Sequence, residues 1–310
     1  MRLAPVRDLL QRQVDENRLP GFVAAVRHRG ATEVFCGGTT TAGGVQPVRP
    51  DTLFRLSSVT KPVAGALTLA LWEDGVLGLD DPVGEWLPEL AAPRVLRDRT
   101  GPLADAVPAE RPITERHLLT STPGFGGVWD GSPLARAIDE RGIGPGPWPP
   151  ALTPDEYLRR LAEVPLAAQP GEVWLYHLPA DVLGVLLARA AGRPVSALLA
   201  ERVTGPLGLT DTAFTAVDPA RLATVHEATG DGQDGRELTE GLGGAGDCCR
   251  ERGGGAGRAG GAVGKVVETT GASAGLPAAA HAVVTAVTAA STATAPAERM
   301  CELSRAWWQD

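Results

Sequence analysis

The sequence predicts a mixed α/β protein of the α+β type, on three observations. Gly21–Arg27 (GFVAAVR) and Thr32–Gly37 (TEVFCG) are short runs with β-branched and aromatic residues, joined by Arg29-Gly30. That is the pattern of an antiparallel hairpin with a tight turn. Ser58–Asp74 is a long, mostly apolar run that ends on Gly75, a residue suited to the left-handed position after a helix. Ala180–Ala191 is another such run, stopped by Gly192 and Pro194. Both are apolar on too many sides to be surface helices. Thr153–Ala162 reads as an amphipathic helix with Pro154 in its first turn, and Val195–Val203 as a further helix. At the N-terminus Leu3, Val6, Leu9, Leu10 and Val14 fall roughly at helical spacing.

The chain has 310 residues, 43% hydrophobic and 21% charged, with a formal net charge of -8. This suits a globular protein of one large domain or two intertwined ones. The negative balance, with no basic stripe, argues against nucleic acid or an anionic membrane as partner. The first residues carry Arg7, Asp8, Arg12, Asp15 and Glu16 among their apolar positions, so no secretory core is expected there. No other stretch has the length and apolarity of a membrane span, and a cytoplasmic location is expected. Cys36, Cys248, Cys249 and Cys301 include no CxxC pair and read as free thiols. No metal and no cofactor are expected, and nothing in the sequence sets an oligomeric state.

Texture divides the chain into residues 1–217, well patterned, and a tail over residues 218–310 rich in Gly, Ala and Thr. Between Gly230 and Gly275 lie 16 of the 39 glycines, no Phe, Trp or Tyr occurs from Thr215 to Ala306, and no isoleucine follows Ile143. Such residues supply much of the buried area of a sheet. Gly230–Gly275 is therefore expected to be largely disordered or loosely packed, Val283–Ala290 is at most a weak helix or strand, and the C-terminal strands are expected to be missing or disordered.

Chemistry concentrates at Ser58-Val59-Thr60-Lys61, at the start of a predicted helix. Residues three apart share a helix face, so the lysine amine reaches the serine hydroxyl. A serine is a weak nucleophile until a base takes its proton, and lysine is one of the side chains that serve. Among 29 Lys and Arg residues only Lys61 and Lys265 are lysines. Arginine does not give up its proton in a protein, so a lysine kept at this spacing is informative. A second candidate is Tyr176, which follows the Pro170-Gly171 turn and precedes an apolar helix, where a phenol can relay a proton. Tyr157, inside the amphipathic helix, reads as a packing residue.

These segments resemble the serine β-lactamase and penicillin-binding-protein family, which includes class C β-lactamases, D-Ala-D-Ala peptidases and related esterases. Phe54–Pro62 (FRLSSVTKP) is similar to its nucleophile motif. Leu77–Val83, Trp86–Leu90, Ile113–Thr120, Pro170–Gly184 and Pro206–Thr212 are similar to later segments, in order, over about two-thirds of the chain. The resemblance implies an antiparallel sheet flanked by helices plus a helical subdomain, with the site between them. It implies a serine hydrolase working through an acyl-enzyme on a small-molecule ester or amide, with Ser58, Lys61 and Tyr176 catalytic. An acyl transferase using the same three residues is an alternative.

Departures from the family pattern shape the expectation. Class C enzymes carry Tyr-x-Asn, whereas Tyr176 here is followed by His177 and Leu178. Leucine offers no hydrogen bond to a substrate amide, which favours an ester, and His177 is a candidate substrate contact. Ser121 and Pro123 stand where relatives often have His and Ser, a change expected to affect packing. No Lys-Thr-Gly or His-x-Gly signature follows Tyr176: Lys265 precedes Val266, and His226 and His281 lack the glycine. That strand supplies an oxyanion donor in the family, and one such donor is worth ~10²–10³ in turnover. The absence supports a further alternative, an inactive relative or a product whose tail comes from a shifted reading frame. Gly271–Gly275 (GASAG) matches a nucleophile elbow around Ser273, but His281 follows too closely for that fold.

Overall fold

The computed structural model describes residues 3–145, 150–227, 236–237, 263–264, 284–288 and 290–291. The described residues form two units, one built on residues 3–55 with those described after 214, the other on residues 56–145 and 150–214.

In the first unit, helix α1 (Ala4–Asp15) precedes strands β1 (Gly21–His28) and β2 (Ala31–Gly38), which pair antiparallel in the predicted hairpin. Arg29 and Gly30 both have positive φ, 50° and 82°, as a two-residue turn matched to strand twist requires. Alternation then sorts the side chains. Phe22, Ala24 and Val26 face Phe35 and Leu3, with Leu10 and Val14 of α1 packed against them. Val23 and Cys36 take the other side, against Val48, Phe54 and Ala223. Gly38, at φ 76°, closes the strand where a Cβ would strike the Pro20 carbonyl. Strand β3 (Phe54–Arg55) ends this part of the unit.

The tail supplies short strands at the sheet edge, including the weak element expected over Val283–Ala290. Val284–Thr288 lies antiparallel to β1, from Phe22↔Thr288 to Val26↔Val284, and Val263–Gly264 pairs with β3. Ladder bonds come from the backbone, so an aromatic-poor segment can still add an edge strand, and β1 lies between it and β2. Arg236–Glu237 and Val263–Gly264 apart, Gly230–Gly275 lies outside the described residues, as do Cys248, Cys249, Cys301, Ser273 and His281. Cys36 is a free, half-buried thiol.

The second unit is mainly helical. Its elements are α2 (Thr60–Glu73), the hairpin β4 (Arg94–Leu96) and β5 (Ala106–Pro108), α3 (Glu115–Leu119), α4 (Pro133–Glu140), α5 (Pro154–Ala162), α6 (Leu178–Ala191) and α7 (Val195–Leu199). Helix α6 is the axis of its core: Leu178, Val182, Leu186 and Leu187 are fully enclosed. Each such side chain contributes about 1.5–3 kcal/mol relative to exposure. Gly192, at φ 63°, ends it as expected. Helix α5 starts with the Thr153 hydroxyl accepting from Glu156 N–H and buries Tyr157, Leu158 and Leu161. Arg189 ties three segments together, pairing with both Glu89 oxygens at 2.9 Å and with Asp155 at 2.7 Å. Among the described residues no single helix is long and apolar enough to cross a membrane.

Candidate active site

The predicted serine–lysine pair forms at the head of α2. Buried Leu56 anchors the chain after β3, and Ser57 turns it through φ 47°, a left-handed conformation that a serine adopts only under local constraint. A single 3₁₀ turn, Ser57–Val59, then feeds α2. Ser58 stands in that first turn, exposed, where N–H groups have no intrahelical acceptor. Half-buried Lys61 sits three residues on, and its Nζ donates to Ser58 Oγ at 3.2 Å. The same separation serves proton transfer in the reverse direction once the amine is free.

Tyr176 arrives from far along the chain, and backbone bonds fix it. Leu175 N–H donates to Ser121 O at 2.8 Å, and Tyr176 O accepts from Gly127 N–H at 2.7 Å. The Pro170-Gly171 turn is held by Gly171 N–H to Thr122 O and by Arg111 to Pro170 O. Its Gly171, at φ 91°, packs beside His117 Nε2. His117 in turn caps α3 reciprocally with Thr114. Burial, with Arg111 nearby, holds the His117 imidazole below its ordinary pKa. Ser121 thus acts through its carbonyl, in a left-handed turn at φ 57°.

The Tyr176 ring completes the cluster. Lys61 Nζ lies 4.3 Å from its centroid, a cation–π contact that holds the amine beside Ser58. The contact is with the ring face, not a hydrogen bond to the phenol. Trp174 stacks on the same ring, centroids 5.4 Å apart and planes 22° from parallel. His177 is strained, at φ 83° and ψ -82°, with its ring edge-on to Tyr176 at 6.3 Å and Nδ1 3.7 Å from Asp181 Oδ2. Leu178 is fully buried, so the position of the class C asparagine belongs to the core here. Sequence reasoning passed over Trp129 and Trp174; their signal was aromatic residues beside the Gly126-Gly127 pair and within the tyrosine segment.

Gly126 supports this arrangement at close quarters. A Cβ there would lie 2.5 Å from Leu175 Cβ and 2.6 Å from Leu175 O, against backbone that cannot yield without moving Tyr176. Gly126→Ala is expected to cost about 1–3 kcal/mol, a drop of several degrees in Tm, and to lower ester turnover with it. Thermal melting and steady-state kinetics of the variant check both.

Comparison with known proteins decides the family. A family model described as Beta-lactamase matches residues 6–303. The chain belongs to the β-lactamase family. Within it, the chain is 41% identical over 219 residues to Esterase EstB of Burkholderia gladioli, covering 70% of this chain and 52% of that protein. It is 33% identical over 218 residues to monacolin J acid methylbutanoyltransferase of Aspergillus terreus, covering 66% and 50%. The chain spans about half the length of the curated relatives it matches. The solved structure of EstCE1, described as a hydrolase with promiscuous acyltransferase activity, superposes with a TM-score of 0.65 at 30% identity, covering 84% of this chain and 69% of that one. This β-lactamase-family member therefore has the β-lactamase/transpeptidase-like α/β fold, as the motifs implied.

Proposed function

We propose that the chain is a serine hydrolase that cleaves small-molecule esters through an acyl-enzyme at Ser58. The observation that carries this reading is the 3.2 Å contact between Lys61 Nζ and Ser58 Oγ, next to the Tyr176 ring. The 41% identity to an esterase supports an ester over an amide, as does the burial of Leu178. In the first half-reaction Lys61 takes the Ser58 proton, Oγ bonds to the carbonyl carbon, and the Ser58 N–H stabilises the oxyanion. The ester C–O bond then breaks, and the proton passes to the departing alcohol, with Tyr176 as relay. Water attacks the acyl-enzyme by the same route, releasing the carboxylic acid and restoring the Ser58 hydroxyl. His177, edge-on to Tyr176, is a candidate contact for the substrate.

A second reading is acyl transfer, in which an alcohol replaces water in the second half-reaction. It is favoured by the names of the two acyl-transferring relatives. A fluorophosphonate probe is expected to label the wild-type protein and not Ser58→Ala. Labelling of both would place the nucleophile at another residue, and labelling of neither would leave an inactive relative. Adding a primary alcohol to an ester hydrolysis assay separates the two readings: a new ester product indicates transfer, acid alone indicates hydrolysis.

A further inference from the structure

We infer that the site takes esters bearing a flat, uncharged ring system, which stacks on an aromatic platform formed by Trp129 and Trp174 around Tyr176. The inference rests on the ester reading above and adds a substrate class to it.

Tryptophan is among the largest apolar side chains, and folding normally covers most of it. Trp129 is 68% exposed and Trp174 is 42% exposed. A lone exposed apolar residue needs no explanation. What sets these two apart is that both are built onto one residue. Trp174 stacks on the Tyr176 ring. Trp129 folds back over Gly127, whose missing Cβ leaves room for the indole, and Gly127 N–H holds the Tyr176 carbonyl. Tyr176 in turn meets Lys61, and Lys61 meets Ser58. Every link in that chain is a contact, so the two indoles are tied to the nucleophile through Tyr176. Val59, beside Ser58, and Val173, beside Trp174, are also partly exposed and add apolar surface.

The charge next to Trp129 is already engaged. Asp130 accepts from Ser132 N–H at 3.0 Å, which with the Arg99 guanidinium at 3.0 Å holds its carboxyl below the ordinary range. An apolar ring therefore gains stacking area without stripping a free counter-ion of water. Trp129 lies back on the Gly127 backbone and Trp174 on a ring held by Lys61, contacts that restrict both indoles before a ligand arrives. Less entropy is then lost on binding.

The experiment compares kcat/KM for vinyl acetate, 2-naphthyl acetate and methyl 2-naphthoate, which place the ring on neither side, the alcohol side or the acyl side of the ester. The ratio of the better naphthyl ester to vinyl acetate is expected to fall about tenfold in Trp129→Ala. In Trp129→Phe it is expected to fall less than about threefold, since a flat ring remains. Which naphthyl ester responds identifies the side of the carbonyl that the platform serves. Calorimetric titration of the same naphthyl ester into Ser58→Ala, where no turnover is expected, is to show binding weakened about tenfold by adding Trp129→Ala. A ratio and an affinity both unmoved by Trp129→Ala would overturn the platform. Hydrolysis of no ester by the wild type would instead overturn the hydrolase reading, and the titration would still decide the platform.

Discussion

Lys61→Arg is expected to lose ~10²–10⁴ in kcat on a simple ester, as much as Lys61→Ala loses. The two variants separate what the amine does from what its charge does. Arginine keeps a cation near Ser58 and keeps the attraction to the Tyr176 face, since guanidinium stacks on aromatic rings at least as well as ammonium. It cannot return to a neutral acceptor, because its proton is not lost in a protein. If Lys61 served only to hold Ser58 through the 3.2 Å hydrogen bond, arginine would preserve most of the rate. If it removes the Ser58 proton, arginine fails like alanine. The measurement is kcat and KM for vinyl acetate in the three proteins, with fluorophosphonate labelling as a second readout. Activity of Lys61→Arg within tenfold of wild type would end the assignment of Lys61 as base. KM is expected to move little, since the amine acts on the nucleophile and not on the bound ester.

That pair was legible because it is local. Two residues three apart on one helix face need only the helix to meet, and the apolar run from Ser58 with Gly75 after it predicts the helix. The hairpin was legible for the same reason, through Arg29-Gly30 and alternating side chains. The approach of Tyr176 was visible only as a resemblance between motifs, because its position depends on carbonyls of Ser121 and Thr122 and on the N–H of Gly127. No local pattern encodes such partners. The left-handed Ser57 and the 3₁₀ turn before α2 were also hidden, being imposed where the chain passes from β3 into a helix that is only partly buried, with Leu69 and Trp72 exposed rather than enclosed as its apolar run predicts. The predicted helix over Val195–Val203 begins as α7 but continues with π-helical bonding over Ala200–Thr204. Small shifts in hydrogen-bond register of that kind leave the hydrophobic spacing almost unchanged. Val284–Thr288 was underrated because side-chain composition reports on packing, whereas an edge strand can be held by its backbone.

Glu115 was read as part of a motif, and its place in the core has the second large consequence. It opens α3 and is fully buried. Neither carboxylate oxygen has a hydrogen-bond partner among the described residues. Loss of water raises its pKa from 4.5 to about 8, against the pull of the helix N-terminus, which favours the anion. The sign follows. Between 4.5 and about 8 the folded protein holds a proton that the unfolded chain has released. Stability is therefore complete below the unfolded pKa and declines as pH rises through that window, by on the order of 4 kcal/mol. Glu115→Gln removes the ionisation and is expected to flatten that slope, while leaving an amide without partners. Glu115→Leu removes the polar atoms as well, and its stability relative to wild type is expected to be higher at pH 8 than at pH 5 by about 3–4 kcal/mol. Urea unfolding of the three proteins at pH 5, 6.5 and 8 measures the difference. Equal pH slopes in wild type and Glu115→Gln would show that Glu115 is charged in the folded protein, with a partner reaching it. Because the site residues are untouched, Glu115→Leu is also the background in which a costly variant such as Gly126→Ala can be kept folded long enough to assay.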